Sequence, residues 1–226
     1  MSRATTLPPE ARALALHLGA RADAPPSMVR LRQHGAMRDR PGGRWMRFRA
    51  RQRIDIRRPQ FEWRAAAGPF GCVSVTDSLL AGEAALAVRL LGLLPIAGVR
   101  GGAAAAKGEV MRYLAELAWA RDAILWNAAL DWTVTDQRTL CVAAGQGPAR
   151  GEVELRLDED GRIGEVVAPD RPRKEGAAFV ERQWRGRFFD YRHHAGRWLP
   201  FAGEVGWVLD GSFVAWHGRL LSWQIR

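Results

Sequence analysis

The chain has 226 residues, of which 47% are hydrophobic, and a formal net charge of +10 at pH 7. This hydrophobic content is sufficient for a sizeable core and excludes an intrinsically disordered chain. Lys107 and Lys174 are the only lysines, so the charge comes almost entirely from arginine. Such a bias is typical of a GC-rich coding sequence, and we therefore expect no nucleic-acid partner.

We predict a single domain, because a chain of this length is within the range of one large β-rich unit. It divides by pattern into an N-terminal helix and linker (1–24), a first strand set (25–100), a central helical segment (101–128) and a second strand set (129–226).

The first half of the chain shows mostly period-two alternation. A short helix is predicted to begin at Pro8-Pro9-Glu10, because proline is tolerated in the first helical turn, and to run to about Leu18, before Gly19. Alternation begins at Met28 and is clearest in residues 45–55, where arginines occupy one face and mainly apolar residues the other. This pattern is typical of a half-buried strand. Further strands are predicted at 61–67, 72–76 and 83–90.

Residues 103–120 do not follow the period-two alternation. Val110, Leu114 and Leu117 recur at helical spacing, which predicts an amphipathic helix. A second, shorter helical piece is predicted at 122–128.

The second half returns to strands, with Asp160-Gly161 and Asp210-Gly211 as hairpin signals. The predicted strands are 131–135, 138–144, 152–157, 163–167, 179–189, 198–209 and 212–225. The fold class is therefore mainly antiparallel β with one central α-helix (α+β), in which a strongly curved sheet or half-barrel wraps around the helix.

Tryptophan is the most informative residue type, because the chain has ten of them and only two tyrosines. Tryptophan suits both core packing and the walls of a site for a hydrophobic ligand, and both interpretations stay open. The candidate ligand-binding tryptophans are Trp63, Trp119, Trp132, Trp184 and Trp207.

Arg112 and Glu116 lie four residues apart on the predicted central helix and share a face. On the surface they would form a weak ion pair, whereas under the sheet they would form a buried pair with a substantial desolvation cost. In the buried case Arg112, Glu116 and Arg171 are the candidate polar contacts of a ligand.

Three functions remain open from the sequence. The first is binding of a hydrophobic or amphipathic small molecule or lipid between sheet and helix. The second is a cofactor-independent enzyme in the same cavity, with Glu116 as base, Arg112 as its electrostatic partner, and Tyr113 or Tyr191 as proton donor. The third is a structural or interaction protein without a pocket. The sequence does not decide the oligomeric state.

Several residues have ordinary explanations. Residues 171–174 form a charge run expected in a solvated loop, Asp77 is expected in a turn, and His217 is expected to be buried in the core. Cys72 and Cys141 lack metal-ligand spacing, so we expect no metal. A disulfide between them would require the fold to bring them together, and we expect free, buried thiols. No nucleotide-cofactor motif is present, and we expect no cofactor. There is no apolar run long enough for a transmembrane helix or a signal peptide, so a cytoplasmic location is the default expectation.

Several segments, taken in order, resemble the bacterial domain-of-unknown-function family 6544 or a close sister family. They are Val29–Gly35, Trp45–Gln52, Pro59–Trp63, Arg112–Glu116 with Trp119, Trp184–Gly186 with Asp190-Tyr191, and Gly196–Pro200 with Glu204 and Trp207. The resemblance implies that Arg112, Tyr113, Glu116, Trp119, Trp184 and Tyr191 occupy motif positions of the family. The order of strands and helix is also similar to the half-barrel of LolA-like lipoprotein carriers, which is an analogy of fold and does not assign a function.

Overall fold

The structure, a computed structural model, describes residues 7–226. Within that range the α-helices are α1 (Pro9–His17), α2 (Ala103–Ala115) and α3 (Asp122–Trp126), with 3₁₀ turns at Pro69–Gly71, Glu116–Ala118 and Gly147–Ala149. The strands of the first half are β1 (Met28–Met37), β2 (Met46–Asp55), β3 (Phe61–Ala67), β4 (Val73–Leu80), β5 (Glu83–Leu90) and β6 (Leu94–Arg100). Those of the second half are β7 (Asp131–Asp136), β8 (Thr139–Ala144), β9 (Gly151–Leu157), β10 (Ile163–Glu175), β11 (Ala178–His194), β12 (Arg197–Val208) and β13 (Ser212–Ile225).

All thirteen strands of the described chain form one antiparallel sheet in the order β6-β5-β4-β3-β2-β1-β13-β12-β11-β10-β9-β8-β7. Each half is a meander, and the halves join where β1 pairs with β13. The two outer strands, β6 and β7, are consecutive in the chain. The segment between them therefore has to travel from one edge of the sheet to the other, and it does so as α2, the turn Glu116–Ala118 and α3.

This crossing places α2 on the concave face of the curled sheet, where it packs against β4 and β5 of the first half and β8–β11 of the second. Val110, Met111 and Leu114 are buried there, as their helical spacing predicted. The Tyr113 hydroxyl donates to the Asp55 carbonyl oxygen and accepts from Asn127 Nδ2, which ties the helix to the end of β2. The predicted half-barrel around a central helix is thus confirmed.

Strand β2 shows how the alternation sets the two faces of the sheet. Phe48, Ala50, Gln52 and Ile54 are buried, while the arginines at 47, 49, 51 and 53 are exposed. A strand with one solvated face gives this pattern because successive side chains point to opposite sides.

Two parts of the sheet differ from the sequence prediction for the same physical reason. Strand β6 was absent from the predicted strands. It contains Pro95 and Gly98, which disfavour strands, and it forms at the edge of the sheet, where one side of the strand has no partner and proline's lack of an N–H is tolerated. Residues 171–174 were expected in a loop but extend β10, where Pro172 pairs only with β11 because β9 pairs only as far as Val167. Each proline therefore has one side free of a partner strand.

Candidate functional site

A cavity of about 260 Å³ lies between the helical crossing and the concave face of the sheet. Its walls are predominantly apolar, and side chains from both halves of the sheet contribute to them. The tryptophans in its lining are Trp63, Trp119, Trp184, Trp207 and Trp216. Met37 and Trp216 pair at the last register position before the β1–β2 turn, so the cavity reaches that end of the sheet.

Arg112 is the centre of the polar part of the lining. Its Nη1 donates to Asp77 Oδ2 of β4, and its Nε donates to Glu116 Oε1 at 3.0 Å. The guanidinium also lies over Phe61, 4.7 Å from the ring centroid. Burial alone would lower the pKa of Arg112, but the carboxylates of Glu116 and Asp77 raise it overall. The side chains of Arg112 and Glu116 are only 19% and 9% exposed, so of the two arrangements that the sequence left open the structure has the buried ion pair.

Glu116 has both carboxylate oxygens engaged. Oε2 accepts a hydrogen bond from Gln52 Nε2, and Oε1 accepts from Arg112. Burial raises the pKa of Glu116, while the charge and hydrogen bond of Arg112 oppose the rise. These two hydrogen bonds hold the Glu116 carboxylate in an ion cluster with Arg112 and Asp77.

Glu109 and Arg171 form a looser pair next to this cluster, with 3.8 Å between Arg171 Nη2 and Glu109 Oε1. Burial and the neighbouring Asp77 carboxylate raise the pKa of Glu109 to about 8, and the charges of Arg171 and Arg112 only partly oppose this. Glu109 Oε2 and Arg171 Nε are both buried without a hydrogen-bond partner among residues 7–226.

The candidate residues from the sequence separate into two groups. The structure brings together around the cavity Trp63, Arg112, Glu116, Trp119, Arg171, Trp184 and Trp207. The lining does not include the other three candidates, which are Tyr113, Tyr191 and Trp132.

Tyr113 and Tyr191 are held by other contacts. Tyr113 bonds to Asp55 and Asn127, and the Tyr191 hydroxyl donates to the Ile163 carbonyl oxygen at 2.8 Å. Burial raises the pKa of both phenols. Trp132, on β7, is buried in the core away from the cavity.

The sequence interpretation missed five polar residues at or beside this cavity, which are Gln33, Gln52, Asp77, Glu109 and Glu204. Asp77 was expected in a turn, but it lies within β4, which continues to Leu80 and so extends beyond the predicted end at residue 76. Gln33 accepts from Trp63 Nε1 at 3.2 Å, and Gln52 bonds to Glu116. Both glutamines sit at inward positions of alternating strands, which was the one available signal.

His217 was expected in the core, and that expectation was wrong. It is exposed on β13, with its ring centroid 4.8 Å from that of Trp45. The cysteines are free, as expected, but half-buried.

Among residues 7–226, no group of three His, Cys, Asp or Glu side chains has the geometry of a metal site. In the same part of the chain no helix has both the length and the apolarity to cross a bilayer.

The fold and site together define a half-barrel protein in which a helix crosses the concave face and encloses a tryptophan-lined cavity. The model of the family described as "Family of unknown function (DUF6544)" matches residues 2–218. The chain belongs to this family, as its ordered motifs predicted. Comparison of the sequence with curated proteins found no match.

Solved structures with a similar fold have very different sequences. An outer membrane lipoprotein-sorting protein domain from Vibrio parahaemolyticus has a TM-score of 0.53 at 9% identity, covering 96% of this chain and 91% of that one. A LolA superfamily protein from Nitrosomonas europaea has a TM-score of 0.48 at 10% identity, covering 96% and 93%. A DUF1329 family protein from Desulfovibrio piger has a TM-score of 0.44 at 13% identity, covering 95% and 91%. The first of these shows that the chain shares the fold of a lipoprotein-sorting protein domain.

Proposed function

We propose that the protein binds a hydrophobic or amphipathic small molecule or lipid in the cavity between the helical crossing and the sheet. The observation that carries this proposal is the composition of the lining, in which aromatic and aliphatic walls surround a few buried polar groups. Small-molecule sites typically have this composition, with the polar groups fixing the orientation of the ligand.

Two further observations support the proposal. The cavity of about 260 Å³ is close to the lower end of the range for ligand pockets, roughly 300 Å³. The fold is also shared with a lipoprotein-sorting protein domain, although a likeness at 9% identity concerns the fold alone.

The test uses a neutral hydrophobic fluorophore, N-phenyl-1-naphthylamine, together with native mass spectrometry of the purified protein. Ala115 lines the cavity at the end of α2, so Ala115→Leu reduces the space available to a ligand. Ala103 is exposed at the start of the same helix, and Ala103→Leu is the matched control.

We expect the fluorophore to bind the wild type and Ala103→Leu, and to bind Ala115→Leu at least several-fold more weakly. Native mass spectrometry is expected to show a bound apolar molecule in the first two proteins. If the wild type binds no fluorophore and carries no apolar molecule, the proposal fails, and the tryptophans are core residues of a protein without a ligand.

The enzymatic alternative has less support from the geometry. Both oxygens of Glu116 already accept hydrogen bonds, and Tyr113 and Tyr191 lie outside the cavity lining. A general base needs a lone pair that points to the substrate proton. The hydrogen bonds from Gln52 and Arg112 instead hold the Glu116 carboxylate toward other protein side chains.

The cytoplasmic location stays a prediction from the sequence, which cell fractionation would test.

A further inference from the structure

We propose that the ligand is a single-chain amphipathic anion, whose head group binds the Arg171 guanidinium while its apolar chain lies along the tryptophan walls. This inference rests on the proposed binding function and specifies the class of ligand. It is carried by the geometry of Arg171, whose guanidinium lines the cavity and makes no hydrogen bond within the described part of the chain.

Arg171 is held in the cavity wall by aromatic rings. Its guanidinium lies 4.6 Å from the centroid of Trp184 and 5.6 Å from that of Trp207, and both rings line the same cavity. The side chain is only 12% exposed. Stacking between rings fixes the plane of a guanidinium and leaves its N–H edge available for hydrogen bonds.

Among the other shielded arginines, Arg162 pairs with Asp160 at 3.1 Å and is not in the cavity lining. Arg112, Arg121 and Arg197 donate to the protein itself. Arg112 donates to two carboxylates, Asp77 and Glu116. Arg197 donates to the Asp122 carboxylate.

Arg121 donates through both of its terminal nitrogens, to the carbonyl oxygens of Ala118, Trp119 and Trp198. Only its Nε lacks a partner among residues 7–226, and the side chain is not in the cavity lining. These three arginines therefore stabilise the fold, whereas the guanidinium of Arg171 is available to hydrogen-bond to a ligand.

Arg171 has no such partner among residues 7–226. Its nearest carboxylate oxygen, on Glu109, is 3.8 Å away, which is beyond hydrogen-bond distance, and its Nε is buried without an acceptor. An arginine stays charged at neutral pH wherever it lies. A buried cation with unpaired donors is costly, and an anion supplied by a ligand would remove that cost.

Glu109 is a poor counterion at neutral pH. Burial and the neighbouring Asp77 carboxylate raise its pKa well above the usual range of a carboxyl, which disfavours the charged form of Glu109. Asp77 and Glu116 equal the two guanidiniums in number, but their bonded oxygens already accept from Arg112 and Gln52, so neither bonds to Arg171. The cavity thus presents one uncommitted cationic fork beside apolar walls, which is complementary to an amphipathic carboxylate or phosphate monoester.

The test compares three probes with the same ten-carbon chain: decanoate, decan-1-ol and decyltrimethylammonium. Their dissociation constants are measured at pH 7 by displacement of N-phenyl-1-naphthylamine from the full chain. The variant Arg171→Gln removes the cation and keeps donor groups. Arg185→Gln is the matched control, because Arg185 is on neighbouring β11, is 47% exposed and is not in the cavity lining.

We expect decanoate to bind the wild type about tenfold or more tightly than decan-1-ol, since a hydrogen bond to a charged group contributes at least that factor. Decyltrimethylammonium should bind most weakly. Arg171→Gln should abolish the preference for decanoate and leave the affinity for decan-1-ol unchanged, which also shows that the variant is folded. Arg185→Gln should keep the wild-type preference.

Equal binding of decanoate and decan-1-ol by the wild type would overturn the anion inference and leave the proposed function standing. This comparison uses only the wild type, so it tests the inference even if Arg171→Gln fails to fold. A preference for decanoate that survives in Arg171→Gln would overturn the role of Arg171. Failure of all three probes to bind would refute both the inference and the proposed function.

Discussion

Removing the charge of Arg112 should destabilise the protein far more than removing an exposed arginine. Arg112→Met keeps much of the side-chain length but leaves the carboxylates of Asp77 and Glu116 without their cation. Both carboxylates are largely shielded from water, since their side chains are 15% and 9% exposed. The substitution also removes the contact between the guanidinium and the Phe61 ring.

The magnitude follows from the cost of breaking a buried pair by removing one partner, about 3–5 kcal/mol. The lost cation–π contact adds about 1 kcal/mol, and protonation of one carboxylate recovers a part. We expect a net loss of about 4 kcal/mol in the free energy of unfolding. Such a loss is a large share of the roughly 5–15 kcal/mol that is typical of a folded domain.

The assay is urea unfolding at pH 7, followed by tryptophan fluorescence and far-ultraviolet circular dichroism. Arg156→Met is the control, because Arg156 is 43% exposed and bonds to Glu154 at 2.8 Å and Glu165 at 3.1 Å. An exposed pair contributes about 0–1 kcal/mol, so this variant should unfold close to the wild type. Replacing all three members, with Arg112→Met, Glu116→Gln and Asp77→Asn together, should recover part of the loss.

A loss of less than about 1 kcal/mol in Arg112→Met, similar to that of the exposed control, would refute this account of the cluster. That result would mean that water reaches the two carboxylates and that the cluster lies outside any desolvated cavity.

Two further predictions concern pH and close packing. In the folded protein the pKa of Glu109 is raised above its unfolded value. The stabilising contribution of its protonated carboxyl is therefore complete below about pH 4.5 and is lost as the pH rises through about 8. Between about pH 6 and 9 the free energy of unfolding of the wild type should therefore fall by a few kcal/mol more than that of Glu109→Gln, with a slope of at most about 1.4 kcal/mol per pH unit. Urea titrations measure this difference. Parallel decreases in the two proteins would argue against a desolvated carboxyl. The second prediction concerns Gly35 of β1, where an added Cβ would clash with the His217 carbonyl oxygen of β13. Gly35→Ala should therefore separate the two strands locally and lower the free energy of unfolding by at least about 2 kcal/mol. Gly211→Ala, where an added Cβ has nothing within 4 Å, should melt like the wild type in a calorimeter, and equal melting of both variants would disprove the close approach.

Much of the fold was predictable because the relevant signals are local. Alternation in residues 46–55 determined which side chains of β2 are buried, and the spacing of Val110, Leu114 and Leu117 determined the face of the helix. The errors arose where context overrides local preference, as in β6, whose proline is tolerated only because the strand is at an edge. The exposure of His217 is another case, since the apolar neighbours in β13 suggested a buried strand and the sheet put its ring on the outer face.

The candidate site shows the same division. The sequence alone determined that a charged pair lies on the central helix and that tryptophans are available to build a cavity. Only the tertiary structure decided that the pair is buried, that Asp77 joins it, and that Arg171 lies beside Trp184 and Trp207 without a hydrogen-bond partner in the described chain. The physical reason is that a cavity is the volume left between side chains from strands as distant in the chain as β1 and β13, and which strands are neighbours depends on long-range pairing that no local pattern encodes.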